Sequence, residues 1–92
     1  MSVLDAQQIA AELATMPGWA VASGQITKKF KAPSFHRAIG FVTQIAILAE
    51  KADHHPDIDI RYDTVTIAMS THSEGGITEK DISMAREIES AL

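Results

Sequence analysis

Residues 57–69 alternate regularly between polar and apolar side chains. The apolar members are Ile58, Ile60 and Tyr62 in a first run and Val65, Ile67 and Met69 in a second. Alternation with a period of two is typical of strands that bury one face. With Asp63-Thr64 as a two-residue turn, Tyr62 lies opposite Val65, and the pairs 60–67 and 58–69 follow. The pattern therefore predicts a β-hairpin with its large apolar side chains on one face.

Two earlier segments place apolar residues three and four positions apart, the spacing of amphipathic helices. The first is predicted to begin at the N-cap Ser2, with Asp5 at position N3, and to end at Pro17-Gly18. The second is predicted to begin after the N-cap Ser34 and to continue to about Ala52. Between them, residues 19–22 and 26–31 are predicted to form two short strands.

A third helix is predicted after Thr78, and Asp81 fits the acidic N3 position of its capping box. The predicted order of elements is then α-β-β-α-β-β-α. Such an order indicates an α+β fold with two layers, a four-stranded antiparallel sheet carrying three helices on one face. Ninety-two residues suffice for one hydrophobic core. We therefore expect a single domain over residues 1–92.

The long second helix carries more apolar surface than one sheet can cover. Its two adjoining stripes are Phe35, Ile39, Val42 and Ala46, and Phe41, Ile45 and Leu48. If one stripe covers the sheet, part of the other is exposed, and large exposed apolar patches usually mark interfaces. A chain of this length also buries only roughly 60–65% of its unfolded surface when it folds. We therefore expect a homo-oligomer, with a dimer as the smallest unit.

Composition excludes several classes of function. Twelve acidic and eight basic residues give a net charge of −4, which argues against direct binding to a nucleic-acid backbone. The absence of cysteine excludes disulfides, thiolate zinc sites and a cysteine nucleophile. The first residues lack the basic and apolar regions of a signal peptide, and no apolar run is long enough to cross a bilayer. A cytoplasmic location without membrane attachment is expected.

Three of the four histidines lie in two short segments. These segments are His54-His55-Pro56 and Ser70-Thr71-His72. Histidine is the side chain that exchanges protons most readily near neutral pH. The predicted hairpin returns the second segment to the start of the first, so that both are expected at one edge of the sheet. This concentration predicts proton-transfer chemistry.

The end of the long helix is expected to orient the first histidine segment. Pro56 disfavours helical backbone at the residue before it, so the helix must end at or before His55. Glu50 lies four residues before His54 and is expected to reach it across one helical turn.

Spacing alone leaves other interpretations open. An adjacent histidine pair before proline is also typical of a polar helix exit. A metal site fits the spacing poorly, because neither His-x-His nor His-x-x-x-His occurs and no cysteine can complete a tetrahedron. His36 is expected at the surface of the long helix and Trp19 in the core. Gly75-Gly76 predicts a turn, since one glycine pair before a helix is weak support for a phosphate site.

The histidine segments belong to a longer set of characteristic residues. The set comprises Glu50-Lys51-x-Asp53-His54-His55-Pro56, Tyr62, Ser70-Thr71-His72, Gly76-Ile77-Thr78-Glu79-x-Asp81-Ile82, Gly18-Trp19, Ile26-Thr27-Lys28-Lys29-Phe30 and Phe35-x-Arg37-Ala38-Ile39-Gly40-Phe41. This set resembles the pterin-4a-carbinolamine dehydratase family over nearly the whole chain. The resemblance implies the same fold, a four-stranded antiparallel sheet with three helices. The chain departs from many relatives in carrying Asp57-Ile58-Asp59-Ile60-Arg61-Tyr62, where they have Glu-Trp-Phe-Asn-Val-Tyr.

The resemblance implies dehydration of a 4a-hydroxytetrahydropterin to the quinonoid dihydropterin, a step in recycling the cofactor of aromatic amino acid hydroxylases. It implies that His54 and His72 act as acid or base at C4a and that His55 binds and polarises the pterin. The substrate-binding residues that it implies are Glu50, Asp53, Pro56, Ser70, Thr71, Ser73 and Asp81. Ser73 stands where some relatives have glutamate. No metal, nucleotide or other cofactor is expected, and the family implies a homodimer or homotetramer.

Two further functions stay open. Some members of the family stabilise the dimers of a transcription regulator, which here would be a protein-interaction role of the apolar helix stripe. A regulatory module that binds pterin without turnover would share the histidine site. Turnover separates the alternatives, since an interaction module does not need the three histidines.

Overall fold

A computed structural model describes residues 2–92 as four strands, three α-helices and one turn of 3-10 helix. The elements are α1 Ala6–Leu13, β1 Ala20–Ala22, β2 Gln25–Lys31, α2 Phe35–Ala52, β3 Asp57–Arg61, β4 Thr64–Met69, the 3-10 turn His72–Glu74 and α3 Glu79–Ala91. The strands form one antiparallel sheet in the order β1-β2-β4-β3. The predicted α+β architecture is confirmed, and the 3-10 turn is an addition to it.

The core lies between one face of the sheet and the helices. Alternation along β4 buries Val65, Ile67 and Met69, and their neighbours Phe30 and Ile26 on β2 are buried with them. The other elements add Ile9 from α1, Ile45 from α2 and Ile88 from α3, and Trp19 joins them from the position just before β1. Burying one side chain of this size contributes about 1.5–3 kcal/mol. The expected core position of Trp19 is confirmed.

The hairpin of β3 and β4 forms, but its register differs from the predicted one by two residues. Ile60 pairs with Val65, the partner that the pattern assigned to Tyr62. The turn consists of Tyr62 and Asp63, and Tyr62 has a left-handed backbone with φ 54°. Two-residue hairpin turns demand such a conformation because it matches the twist of the strands. A shift of two residues leaves each side chain on its predicted face.

The helix caps follow two of the three predictions. Ser34 caps α2 and Thr78 caps α3, as predicted. The predicted cap Ser2 is wrong, because α1 begins only after Asp5. The Asp5 carboxylate accepts a hydrogen bond from the Gln8 N–H, while the Gln8 side chain accepts one from the Asp5 N–H, both at 2.8 Å. This reciprocal capping box satisfies two backbone donors at once, which Ser2 with Asp5 does not do.

The two apolar stripes of α2 have different surroundings. Phe41 and Ile45 are buried against the sheet, whereas Phe35 is 51% exposed and Ile39 39% exposed. The expectation that one stripe covers the sheet and the other stays partly exposed is confirmed. Strand β3 is also exposed along its length, because it is the last strand of the sheet. Within residues 2–92, none of the helices has the length and apolar character needed to span a membrane.

Candidate active site

The end of α2 sends two adjacent histidines in different directions. Asp53 has a left-handed backbone, with φ 50° and ψ 45°. Its N–H bonds to the Glu50 carbonyl at 3.3 Å, and the His54 N–H bonds to the Ala49 carbonyl at 3.0 Å. This pair of bonds is a Schellman ending, in which the chain reverses after the last helical turn. The His54 side chain is 10% exposed as a result, and that of His55 is 55% exposed.

The carboxylate of Glu50 contacts His55 and not His54. The distance from His55 Nε2 to Glu50 Oε2 is 2.5 Å, and both side chains are mostly exposed. The expected contact across one helical turn between Glu50 and His54 is therefore wrong. Its physical reason is the left-handed residue Asp53, which takes His54 off the helical path that the spacing assumed.

The partner of His54 is the carboxylate of Asp81. His54 Nε2 lies 2.6 Å from Asp81 Oδ1, and Asp81 is fully buried. Asp81 stands in the first turn of α3, where its other oxygen accepts the Thr78 N–H at 2.9 Å and closes the predicted capping box. The same carboxylate therefore caps the start of α3 and contacts His54.

The second histidine segment reaches the same carboxylate through Thr71. The Thr71 hydroxyl donates to Asp81 Oδ2 at 2.9 Å, and Thr71 is buried. Asp57 at the start of β3 pairs with Ala68 near the end of β4, so the segments that flank these residues lie side by side. The structure thus brings the two segments together at one edge of the sheet, as the sequence predicts.

The other proposed site residues are exposed or half-buried. His72 and Ser73 are exposed on the 3-10 turn, which the bond from the Thr71 N–H to the Gly76 carbonyl closes at 2.8 Å. Ser70 and Pro56 are half-buried, and Asp53 is exposed. His36 is exposed near the start of α2, 3.3 Å from the Ser34 hydroxyl, and belongs to the surface as expected.

A cavity of about 180 Å³ lies beside His54 and was not expected from the sequence. Its other lining residues are Ala52, Glu79, Lys80, Ser83, Met84 and Glu87. Most of these come from one face of α3, and the spacing 80, 83, 84 and 87 marks that face in the sequence. The sequence contained this signal, but nothing in it showed that α3 packs beside the end of α2. Within residues 2–92, no group of three or more His, Asp or Glu side chains is arranged to hold a metal ion.

Comparison with known proteins gives consistent results over the full chain. A family model described as pterin 4 alpha carbinolamine dehydratase matches residues 2–91. A Mycolicibacterium smegmatis protein named "Putative pterin-4-alpha-carbinolamine dehydratase" is 50% identical over 100% of this chain and 98% of its own length. A Chloroflexus aurantiacus protein of the same name is 46% identical over 100% of this chain and 99% of its own. A crystal structure described as a transcriptional coactivator/pterin dehydratase from Brucella melitensis superposes with a TM-score of 0.93, at 38% identity and 98% coverage of both chains.

Proposed function

This chain belongs to the pterin-4-alpha-carbinolamine dehydratase family, and we propose that its histidine site removes water from a 4a-hydroxytetrahydropterin to give the quinonoid dihydropterin. The observation that carries the proposal is the contact of His54 with buried Asp81, which also binds Thr71, the residue before His72. Asp81 thereby links His54 to the segment that carries His72, which supports a shared site for the two histidines.

The reaction needs two proton transfers. The bond from C4a to the hydroxyl oxygen breaks, and the departing oxygen takes a proton to leave as water. A ring nitrogen loses a proton as its electron pair forms the new double bond to C4a. General acid–base catalysis of this kind contributes about 10²–10⁴-fold. His54 and His72 are the proposed acid and base, and the chemistry calls for no metal or covalent intermediate.

The remaining residues are proposed to bind the pterin or to support the histidines. His55 binds and polarises the ring, and Glu50 orients His55 through the 2.5 Å contact. Pro56, Ser70 and Ser73 line the surface on which the pterin would lie. Asp53 contributes by turning His54 inward, since its backbone conformation ends the helix.

The test is the rate of dehydration of a 4a-hydroxypterin by purified protein. His54→Ala and His72→Ala should each lower the rate by at least about tenfold, because each removes one proton-transfer group. His36→Ala is the matched control, since it removes a histidine from the exposed side of α2. Circular dichroism should show that all three variants fold. Site variants with wild-type rates would refute the assignment.

In the cell, this activity would recycle the oxidised cofactor of an aromatic amino acid hydroxylase. The reaction consumes the 4a-hydroxy product that such an oxygenation leaves on the pterin ring. A strain lacking this protein, supplied with such a hydroxylase, should accumulate the 4a-hydroxypterin. Unchanged pterin pools would argue against this role.

The second candidate function is stabilisation of a transcription regulator's dimers. It is favoured by the description of the Brucella melitensis structure as a coactivator as well as a dehydratase. The surface for such contact is the exposed part of the α2 stripe, with Phe35 and Ile39. A variant in which alanine replaces all three site histidines separates the functions. It should lose dehydration completely, whereas an interaction through α2 would survive.

The same exposed surface supports self-association. Apolar side chains on α2 and the open edge of β3 are both suited to contact with a second copy, and closed symmetric dimers are the commonest solution. Light scattering at micromolar concentration should therefore return a dimer or tetramer mass. A mass equal to the 10.0 kDa chain would refute self-association. Ile39→Glu should lower the mass, and Ile9→Val, which changes only the core, should not.

A further inference from the structure

The Asp81 carboxylate is surrounded by hydrogen-bond donors. Oδ2 accepts from the Thr71 hydroxyl and from the Thr78 N–H, both at 2.9 Å, and Oδ1 lies 2.6 Å from His54 Nε2. The side chain is fully buried, so no solvent competes for these bonds. In addition, the carboxylate lies at the N-terminus of α3, where the helix dipole favours a negative charge. All three contacts come from positions that can donate, which is the arrangement that suits a carboxylate accepting hydrogen bonds and donating none.

The two buried threonines have only one consistent arrangement of protons. The hydroxyls of Thr71 and Thr78 lie 2.7 Å apart, and either could donate to the other by geometry alone. However, the single proton of the Thr71 hydroxyl is already directed to Asp81. Thr78 must therefore donate to Thr71, and its oxygen accepts the Lys80 N–H at 3.2 Å. The result is a chain of donors that runs in one direction and ends at Asp81.

An ionised Asp81 with this donor set determines the proton on His54. Because Oδ1 can only accept, Nε2 must carry the hydrogen of the 2.6 Å contact. In a neutral imidazole the other nitrogen, Nδ1, then has the free lone pair. Nδ1 is therefore the atom of His54 that can take a proton from a ligand or return it.

We propose that Asp81, held by Thr71 and Thr78, is a positioning residue that fixes His54 in the Nε2–H tautomer and makes Nδ1 its proton-transferring atom. The proton-transfer role of Nδ1 rests on the proposed function, whereas the tautomer of His54 follows from the contacts alone. It assigns Asp81 to the support of His54 and removes it from the substrate-binding set, since both oxygens are occupied by protein donors. It also names the atom at which the reacting pterin must approach His54.

The variant that tests this is Asp81→Asn. The two donors Thr71 and Thr78 require an acceptor at the Oδ2 position, so the amide oxygen should take that place. The amide NH₂ then faces His54 Nε2 and can only donate to it. The substitution should therefore move the ring proton from Nε2 to Nδ1. A carboxylate-to-amide exchange at the orienting position of a serine protease histidine acts in this way and lowers kcat by about 10⁴-fold.

The direct readout is the tautomer of His54, measured by long-range ¹H–¹⁵N NMR at a pH where the ring is neutral. Wild-type protein should show a protonated Nε2 and a free Nδ1, and Asp81→Asn should show the reverse. A wild-type Nδ1–H tautomer would overturn the proposal without any variant. This measurement keeps the test decisive if Asp81→Asn does not fold.

The kinetic readout is dehydration of a 4a-hydroxypterin. Asp81→Asn should lower kcat by about 10²-fold or more, while KM changes little, because the substrate does not touch Asp81. Asp59→Asn, the same exchange on the exposed edge strand β3, should leave both constants unchanged. An inverted tautomer with a wild-type kcat would overturn the positioning role. If His54→Ala kept full activity while the wild-type tautomer was as assigned, the proposed function would fail and the structural assignment would stand.

Discussion

Two adjacent histidines each contact a carboxylate at nearly the same distance, in opposite surroundings. His54 lies 2.6 Å from Asp81 and His55 lies 2.5 Å from Glu50. In the first pair, the side chains are 10% and 0% exposed, whereas in the second they are 55% and 78% exposed. The two contacts therefore do not differ in distance. They differ in burial and in the number of further hydrogen-bond partners.

The difference has a simple physical origin. Exposed charged pairs are screened by water and lose side-chain entropy when they form, so they typically contribute about 0–1 kcal/mol. A buried carboxylate cannot accept hydrogen bonds from solvent, so protein groups must supply every donor. The buried pair is consequently rigid and determines which nitrogen of His54 carries a proton. The exposed pair leaves both His55 and Glu50 accessible to solvent.

The largest expected effect is on stability when each carboxylate is removed. Asp81→Ala should lower the free energy of unfolding by about 3–5 kcal/mol, because it leaves several buried donors without an acceptor and each costs about 1–3 kcal/mol. Glu50→Ala should lower it by less than about 1 kcal/mol. Urea unfolding of both variants measures the difference. Equal losses would show that burial does not separate the two pairs.

A smaller effect is expected when the support of the buried pair is weakened. Thr71→Val keeps the shape of the side chain but removes the donor to Asp81 and the acceptor for Thr78. It should lower the free energy of unfolding by about 1–3 kcal/mol, the typical cost of an unsatisfied buried polar group. Thr71→Ser keeps the hydroxyl and serves as the control. If both variants were equally stable, the hydroxyl network would have no energetic role.

The smallest effect is expected at a third carboxylate contact, the ion pair of Lys31 and Asp63, which joins the end of β2 to the β3–β4 turn. Lys31 Nζ lies 2.6 Å from Asp63 Oδ2 and lowers the pKa of the Asp63 carboxyl below its usual 3.8. Because the folded pKa is below the unfolded one, this pair stabilises the fold above about pH 4. That contribution is lost as the pH falls through the folded pKa.

Lys31→Met should return the Asp63 pKa toward its usual value, and an NMR titration of the carboxyl carbon would measure the change. Lys29→Met, on the exposed side of the same strand, is the matched control and should leave the titration unchanged. A lowered pKa that persisted in Lys31→Met would mean that the turn backbone and Thr64, not Lys31, hold the Asp63 charge.

Local pattern was sufficient for most elements that depend on near neighbours, and the cap of α1 was the exception. The strands, the ends of α2 and the caps Ser34 and Thr78 follow from spacing and capping chemistry within a few residues. The hairpin could be predicted but not its register, because two turns placed one residue apart give registers that differ by two residues, and both leave the same faces buried. The exact turn depends on Tyr62 adopting a left-handed backbone, which side-chain alternation does not encode.

The sequence by itself determined the fold class, the position of the two histidine segments and their meeting at one edge of the sheet. The tertiary structure alone decided which carboxylate each histidine contacts. Spacing favoured Glu50 for His54, but the left-handed turn at Asp53 sends His54 toward Asp81, 27 residues away in the chain. Local spacing cannot reveal such a partner, since it depends on how α3 packs beside the end of α2. Burial at that junction makes His54 a fixed group and leaves His55 an exposed one.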